Sequence, residues 1–99
     1  MAYFIGGNLE KVILSRVKKI LPRIPGHIRI KLLSWAEAVE MDGIIEVRRL
    51  PGFHDESLKG KRLGQRSIRL SRGYRAIYTE KNDGILHLIV VEEISKREY

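Results

Sequence analysis

The sequence predicts an α+β fold, with an early strand and helices ahead of a small antiparallel sheet, and three observations carry it. Apolar residues recur at spacings of three and four between Ile28 and Val39. Three extended runs follow, at 66–71, 74–80 and 85–94, joined by Ser71-Arg72-Gly73 and Asn82-Asp83-Gly84. Helical pattern first and strands afterwards is the order of an α+β domain, not of alternating strand and helix units. A chain of 99 residues builds one core. We therefore read residues 10–99 as a single domain and residues 1–9 as an N-terminal extension.

The elements follow in order. Between Glu10 and Leu21 the apolar residues fit a helical period, yet Val12-Ile13-Leu14 followed by Ser15 also reads as a short strand with a helix cap behind it; we take strand, then short helix. Pro22 and Pro25 interrupt the chain, and Pro25 is placed to open the next helix. Ile28, Leu32, Trp35, Ala36 and Val39 define that amphipathic helix, which stops before Gly43. Ile44 to Leu50 adds a short helical turn, and Pro51-Gly52 begins a polar loop reaching about Gln65. The strand from Ile85 to Val91 is apolar on both faces apart from His87, as a central strand should be.

The first hairpin allows a test of register, because a slip of one residue sends every side chain to the opposite face. A two-residue loop at Arg72-Gly73 sets Arg75 opposite Leu70 and buries a charge. A three-residue loop with Gly73 left-handed pairs Leu70 with Tyr74 and Ile68 with Ala76, and keeps the apolar face whole. Arg69 then stands directly opposite Arg75. Like charges across a strand pair cost up to about 1 kcal/mol, so a partner is expected. A type I′ turn at Asp83-Gly84 would bring Glu92 opposite Arg75; a bound phosphate is the other candidate.

Charge narrows the function classes. The net +7 is concentrated: residues 59–80 hold seven basic side chains and one acidic, or +6. Five of the seven are arginines, whose planar fork suits bidentate phosphate contact. No cysteine is present, which excludes thiolate catalysis, disulfides and cysteine-based zinc sites. His27, His54 and His87 lack ligand spacing, so neither metal nor cofactor is expected. No apolar run approaches the roughly 18 residues of a membrane span, and a cytoplasmic location is expected. His54, beside two carboxylates, reads as a turn element; His87 reads as a core or edge histidine, and Trp35 as core.

The run from Leu58 to Tyr78, LKGKRLGQRSIRLSRGYRAIY, preceded by LPGFHDE at 50–56 and followed by EEISKREY at 92–99, resembles the RelE/HigB-like toxins of bacterial toxin–antitoxin pairs. The likeness covers roughly Glu10 to Tyr99, and its most specific piece is Lys59 to Tyr78. It implies two helices packed on a small twisted antiparallel sheet. It further implies a metal-independent endoribonuclease that cleaves messenger RNA on the ribosome by 2′-hydroxyl attack on the adjacent phosphate, silenced by a cognate antitoxin. On that resemblance Arg69, Arg75, Arg97 and Tyr99 are the catalytic residues, and Lys59, Lys61, Arg62, Arg66 and Arg72 grip RNA. Arg97 stands where many members carry histidine; an arginine stays protonated, so the proton acceptor must come from elsewhere, with Tyr99, a lysine, His54 or a ribosomal group as candidates. The alternatives are a ParE-like gyrase-inhibiting toxin of the same fold and an inactive basic module that binds RNA or a partner.

Overall fold

A single sheet runs through the computed structural model, which describes residues 9–96. Its strands are β1 (Leu9–Ile13), β2 (Glu56–Ser57), β3 (Arg66–Arg69), β4 (Tyr74–Asp83) and β5 (Leu86–Lys96), in the spatial order β1-β5-β4-β3-β2. Two helices, α1 (Gly26–Asp42) and α2 (Ile44–Arg48), complete an α+β architecture. The sheet is mixed: β3, β4 and β5 form the expected antiparallel meander, and the early strand adds beside it in the parallel sense. β1 runs parallel to β5, with Val12 beside Ile89. A parallel pair needs a long crossover, and here both helices and three strands lie between the two members. The exposed edge of β1 is blunted by Glu40 of α1, whose carboxylate accepts the Val12 N–H at 2.8 Å.

Two expectations are corrected. The helix foreseen after β1 is a pair of separate 3₁₀ turns, Ser15–Val17 and Leu21–Arg23, because Pro22 and Pro25 lack the N–H groups that a continuing helix requires. The polar loop from Gly52 to Gln65 contains β2, a strand of two residues and so too short to show a period. Pro25 caps α1 from just outside it, its carbonyl accepting the N–H groups of Ile28 (3.0 Å) and Arg29 (3.1 Å).

The core lies between α1 and one face of the sheet. Ile28, Leu32, Trp35, Ala36 and Val39 of α1 meet Ile68, Leu70, Ala76, Tyr78, Ile89 and Val91. The Trp35 and Tyr78 rings sit 5.3 Å apart at 47°, a tilted aromatic contact. α1 ends at Gly43, which has φ +87° and lets the chain turn directly into α2. The first N–H of α2, on Ile44, donates to Glu10 at 2.8 Å.

Both hairpins bear on the site. Across β3 and β4, Ile68 pairs with Ala76 and Arg69 with Arg75, the register expected from a three-residue loop. The closure differs: Gly73 is not left-handed, and its N–H instead donates to Ser71 Oγ at 3.1 Å, so the serine hydroxyl takes the place of a turn carbonyl. Between β4 and β5 the loop is Gly84-Ile85, flanked by the pair Asp83 and Leu86. Positive φ at Gly84 alone makes this a type II′ turn. A bulge then leaves Glu92 as the extra residue between the pairs Ile77–Glu93 and Tyr78–Val91. Arg75 therefore faces Ser95, not Glu92.

Candidate active site

Strand alternation puts Ile68, Ala76 and Tyr78 in the core and turns Ser67, Arg69 and Arg75 to the opposite, open face. There Arg69, Arg75, Ser67, His54 and Glu56 line a shallow pocket of about 150 Å³. Arg69 is exposed and Arg75 half-buried. Neither side chain makes a hydrogen bond or ion pair with the described residues, and the buried Nε of Arg75 has no partner among them. An unmet buried guanidinium donor beside a second arginine is costly unless an anion completes it.

A carboxylate on β5 near the pair is already engaged. Glu93 accepts from Arg62 Nη2 at 2.9 Å and from Ser95 Oγ at 3.1 Å, while Arg62 also donates to Gln65 at 2.9 Å. Glu93 lies diagonally across from Arg75, within reach of a long side chain. Arg62 thus holds the β5 carboxylate that lies diagonally across from Arg75. Glu92 is likewise taken, by Arg16 at 2.9 Å and Thr79 Oγ1 at 2.6 Å.

The other basic residues singled out in the sequence are distributed differently. Lys59 and Lys61 are exposed on the loop that contains the 3₁₀ turn Gly60–Arg62, and Arg72 is exposed at the tip of the first hairpin. Arg66 does not join Arg69 and Arg75. It faces the helices and donates through Nε to Asp55 at 2.6 Å. Arg97 and Tyr99 lie outside the described residues, as do residues 1–8 of the N-terminal extension. No three His, Cys, Asp or Glu among the described residues are grouped to hold a metal ion.

On the helix side a chain of polar contacts supports this arrangement. The Asp55 carboxylate, with 1% of the side chain exposed, accepts from Arg66 and from Tyr78 OH at 2.5 Å. Arg48 Nε donates to Tyr78 OH at 3.2 Å, and Arg48 is also paired with Glu80. His87, on β5 between β1 and β4, joins Glu80 (3.0 Å) to Glu10 (3.5 Å) on the helix-covered face. Burial raises the Tyr78 hydroxyl well above the usual tyrosine range, and its hydrogen bond to Asp55 adds to this, against the opposing effect of Arg48. The folded state therefore keeps a proton that the unfolded chain releases above pH 10. This group's contribution to stability should be constant below pH 10 and be lost progressively above it. In thermal melts the wild-type midpoint should drop more steeply above pH 10 than that of Tyr78→Phe; parallel curves would refute this.

The sequence offers His54 both as a turn element and as one of several candidate proton acceptors, and does not single out Glu56. His54 has φ +46°, an uncommon left-handed conformation for a non-glycine residue, and it lines the pocket from there. Glu56 reaches the same face because it pairs with Ser67. The available signal was three titratable groups in a row at 54–56; the shortness of β2 hid which of them share a face.

No protein-family model matches the chain, and no curated protein matches it in sequence. Solved structures do resemble it. YafQ from Escherichia coli strain BL21(DE3) superposes with a TM-score of 0.62 at 14% identity, covering 89% of this chain and 91% of that one. The YoeB/ParE toxin from Agrobacterium tumefaciens gives 0.59 at 19% identity, covering 90% and 98%. A chain of the RelBE2 toxin–antitoxin complex from Mycobacterium tuberculosis gives 0.59 at 15% identity, covering 91% and 98%. The likeness spans nearly the whole of both partners, and it is a likeness of fold.

Proposed function

We propose that this chain, which has the fold of the RelE-like toxins, is the toxin of a toxin–antitoxin pair and cleaves messenger RNA on the ribosome. The observation that carries the reading is the pair Arg69 and Arg75 on the open sheet face, whose side chains have no partner among the described residues, beside a carboxylate and an imidazole. A scissile phosphate seated between the guanidinium groups completes their hydrogen bonding. As the ribose 2′-oxygen bonds to phosphorus and the bond to the 5′-oxygen breaks, negative charge grows on the non-bridging oxygens, where fixed cations stabilise it best. Glu56 accepts the 2′-hydroxyl proton, the role that Arg97 is unable to fill, and His54 returns a proton to the leaving 5′-oxygen. Arg69, Arg75 and Arg97 hold charge; Tyr99 remains a candidate contact near the phosphate. Lys59, Lys61 and Arg72 grip the RNA backbone, whereas Arg62 and Arg66 serve through their carboxylate partners.

A cognate antitoxin is the expected protein partner, and the ribosome the second half of the site. The test is induction during active translation, with messenger RNA ends mapped across the transcriptome. Codon-phased 5′ ends support the nuclease. Intact messenger RNA with broken DNA would instead favour gyrase inhibition, and unimpaired growth would leave only a binding module. No helix among the described residues is long and apolar enough to cross a membrane.

A further inference from the structure

We propose that Asp55 is the positioning residue of this site: its carboxylate, clamped on the helix side of the sheet, sets where Glu56 stands on the other side. The proposal rests on the nuclease reading for its kinetic consequence and on geometry for the rest. β2 is two residues long and lies at the sheet edge, so backbone pairing alone holds Glu56 weakly. The segment is secured instead by Asp55, both of whose oxygens are engaged, by Arg66 Nε at 2.6 Å and Tyr78 OH at 2.5 Å. Extended-chain alternation converts that anchor into a fixed direction for its neighbour, Glu56, which pairs with Ser67 on the pocket face. His54, on the other flank, keeps its left-handed backbone, a conformation that persists where its surroundings over-determine it.

The origin of the two clamp donors matters. Arg66 and Arg69 lie on β3, and Tyr78 and Arg75 on β4, each pair three residues apart and on opposite faces. The same two strands therefore present the cations to one side and grip Asp55 on the other. Tyr78 is itself immobilised by the Trp35 ring and Arg48. The spacing between the acid and the cations is thereby tied to the β3–β4 ladder.

The experiment compares wild type, Glu56→Gln, Asp55→Asn, Tyr78→Phe and the double variant Asp55→Asn/Glu56→Gln in single-turnover cleavage on programmed ribosomes. Asp55→Asn and Tyr78→Phe should each lower kcat about 10- to 100-fold, the scale of an ångström misplacement, with little change in KM. The double variant should be no slower than Glu56→Gln alone, because Asp55 acts only through Glu56. In the free protein, the carboxylate carbon NMR signal of Glu56 should move in Tyr78→Phe, a substitution that removes one hydroxyl and leaves the core filled. Wild-type rates in both clamp variants, or losses that multiply with that of Glu56→Gln, would overturn the proposal. A wild type that cleaves nothing would sink the nuclease reading alone; the Glu56 signal would then decide, and an unmoved signal would overturn the positioning role.

Discussion

Arg75→Ala should lower cleavage on the ribosome by about 10³-fold, in line with the removal of a donor aimed at developing charge, and should leave the protein at least as stable as before. The two halves of this result have one cause. Arg75 is a half-buried guanidinium whose buried Nε has no partner among the described residues, held opposite another arginine. Removing it relieves an unmet donor and a like-charge contact, which offsets the loss of packing by its aliphatic stem. Arg69→Ala, at an exposed position, should show the same split with less packing lost. Single-turnover cleavage beside chemical denaturation measures both effects. A variant that unfolds, or that cleaves like wild type, would show that the pair serves the fold.

Trp35→Ala should have the largest effect on stability, about 3–5 kcal/mol, the range for deleting a large buried aromatic. Trp35 is fully buried at the centre of α1 and packs on Tyr78. Total stability of a domain this size is about 5–15 kcal/mol, so the variant should be partly unfolded at 37 °C. Trp35→Phe separates shape from polarity. The indole Nε1 has no hydrogen-bond partner among the described residues, so this change removes volume and relieves a buried donor, and it should cost much less. Urea midpoints for the two variants check this; equal losses would mean that the indole N–H is satisfied in solution.

The parts of the fold legible in the sequence are those with a long period. Ile28, Leu32, Trp35, Ala36 and Val39 repeat over three turns, and all five are buried in α1. The pairing of Arg69 with Arg75 followed from keeping Ile68, Ala76 and Tyr74 on one face. The direction of β1 was not legible, because parallel and antiparallel neighbours leave the same apolar pattern on a strand. Nor was the bulge at Glu92: two glutamates in a row give no sign of which one drops out of the ladder. The turn one residue later than expected shifts the ladder by two residues and the bulge by one more, and together they put Ser95, not Glu92, opposite Arg75. Arg66 illustrates a different limit. Within a run of basic residues nothing local distinguishes a solvent-facing arginine from one bonded to Asp55, eleven positions earlier. Glu56 was lost for a similar reason, since its neighbour across the sheet, not its place in the chain, turns it toward the cations.

The parallel pairing of β1 with β5 also governs the order of assembly. The β3–β4 hairpin joins neighbours in the chain and can form within microseconds. The outer strand β1, by contrast, has no sheet partner until β5 is in place. Such a non-local contact is slow to close. A nascent chain can therefore display Arg69 and Arg75 on a finished hairpin while Ser95 and Glu93, on β5, are still missing from that face. The emergence of one late strand, not the local turn chemistry, sets the moment at which the whole surface exists.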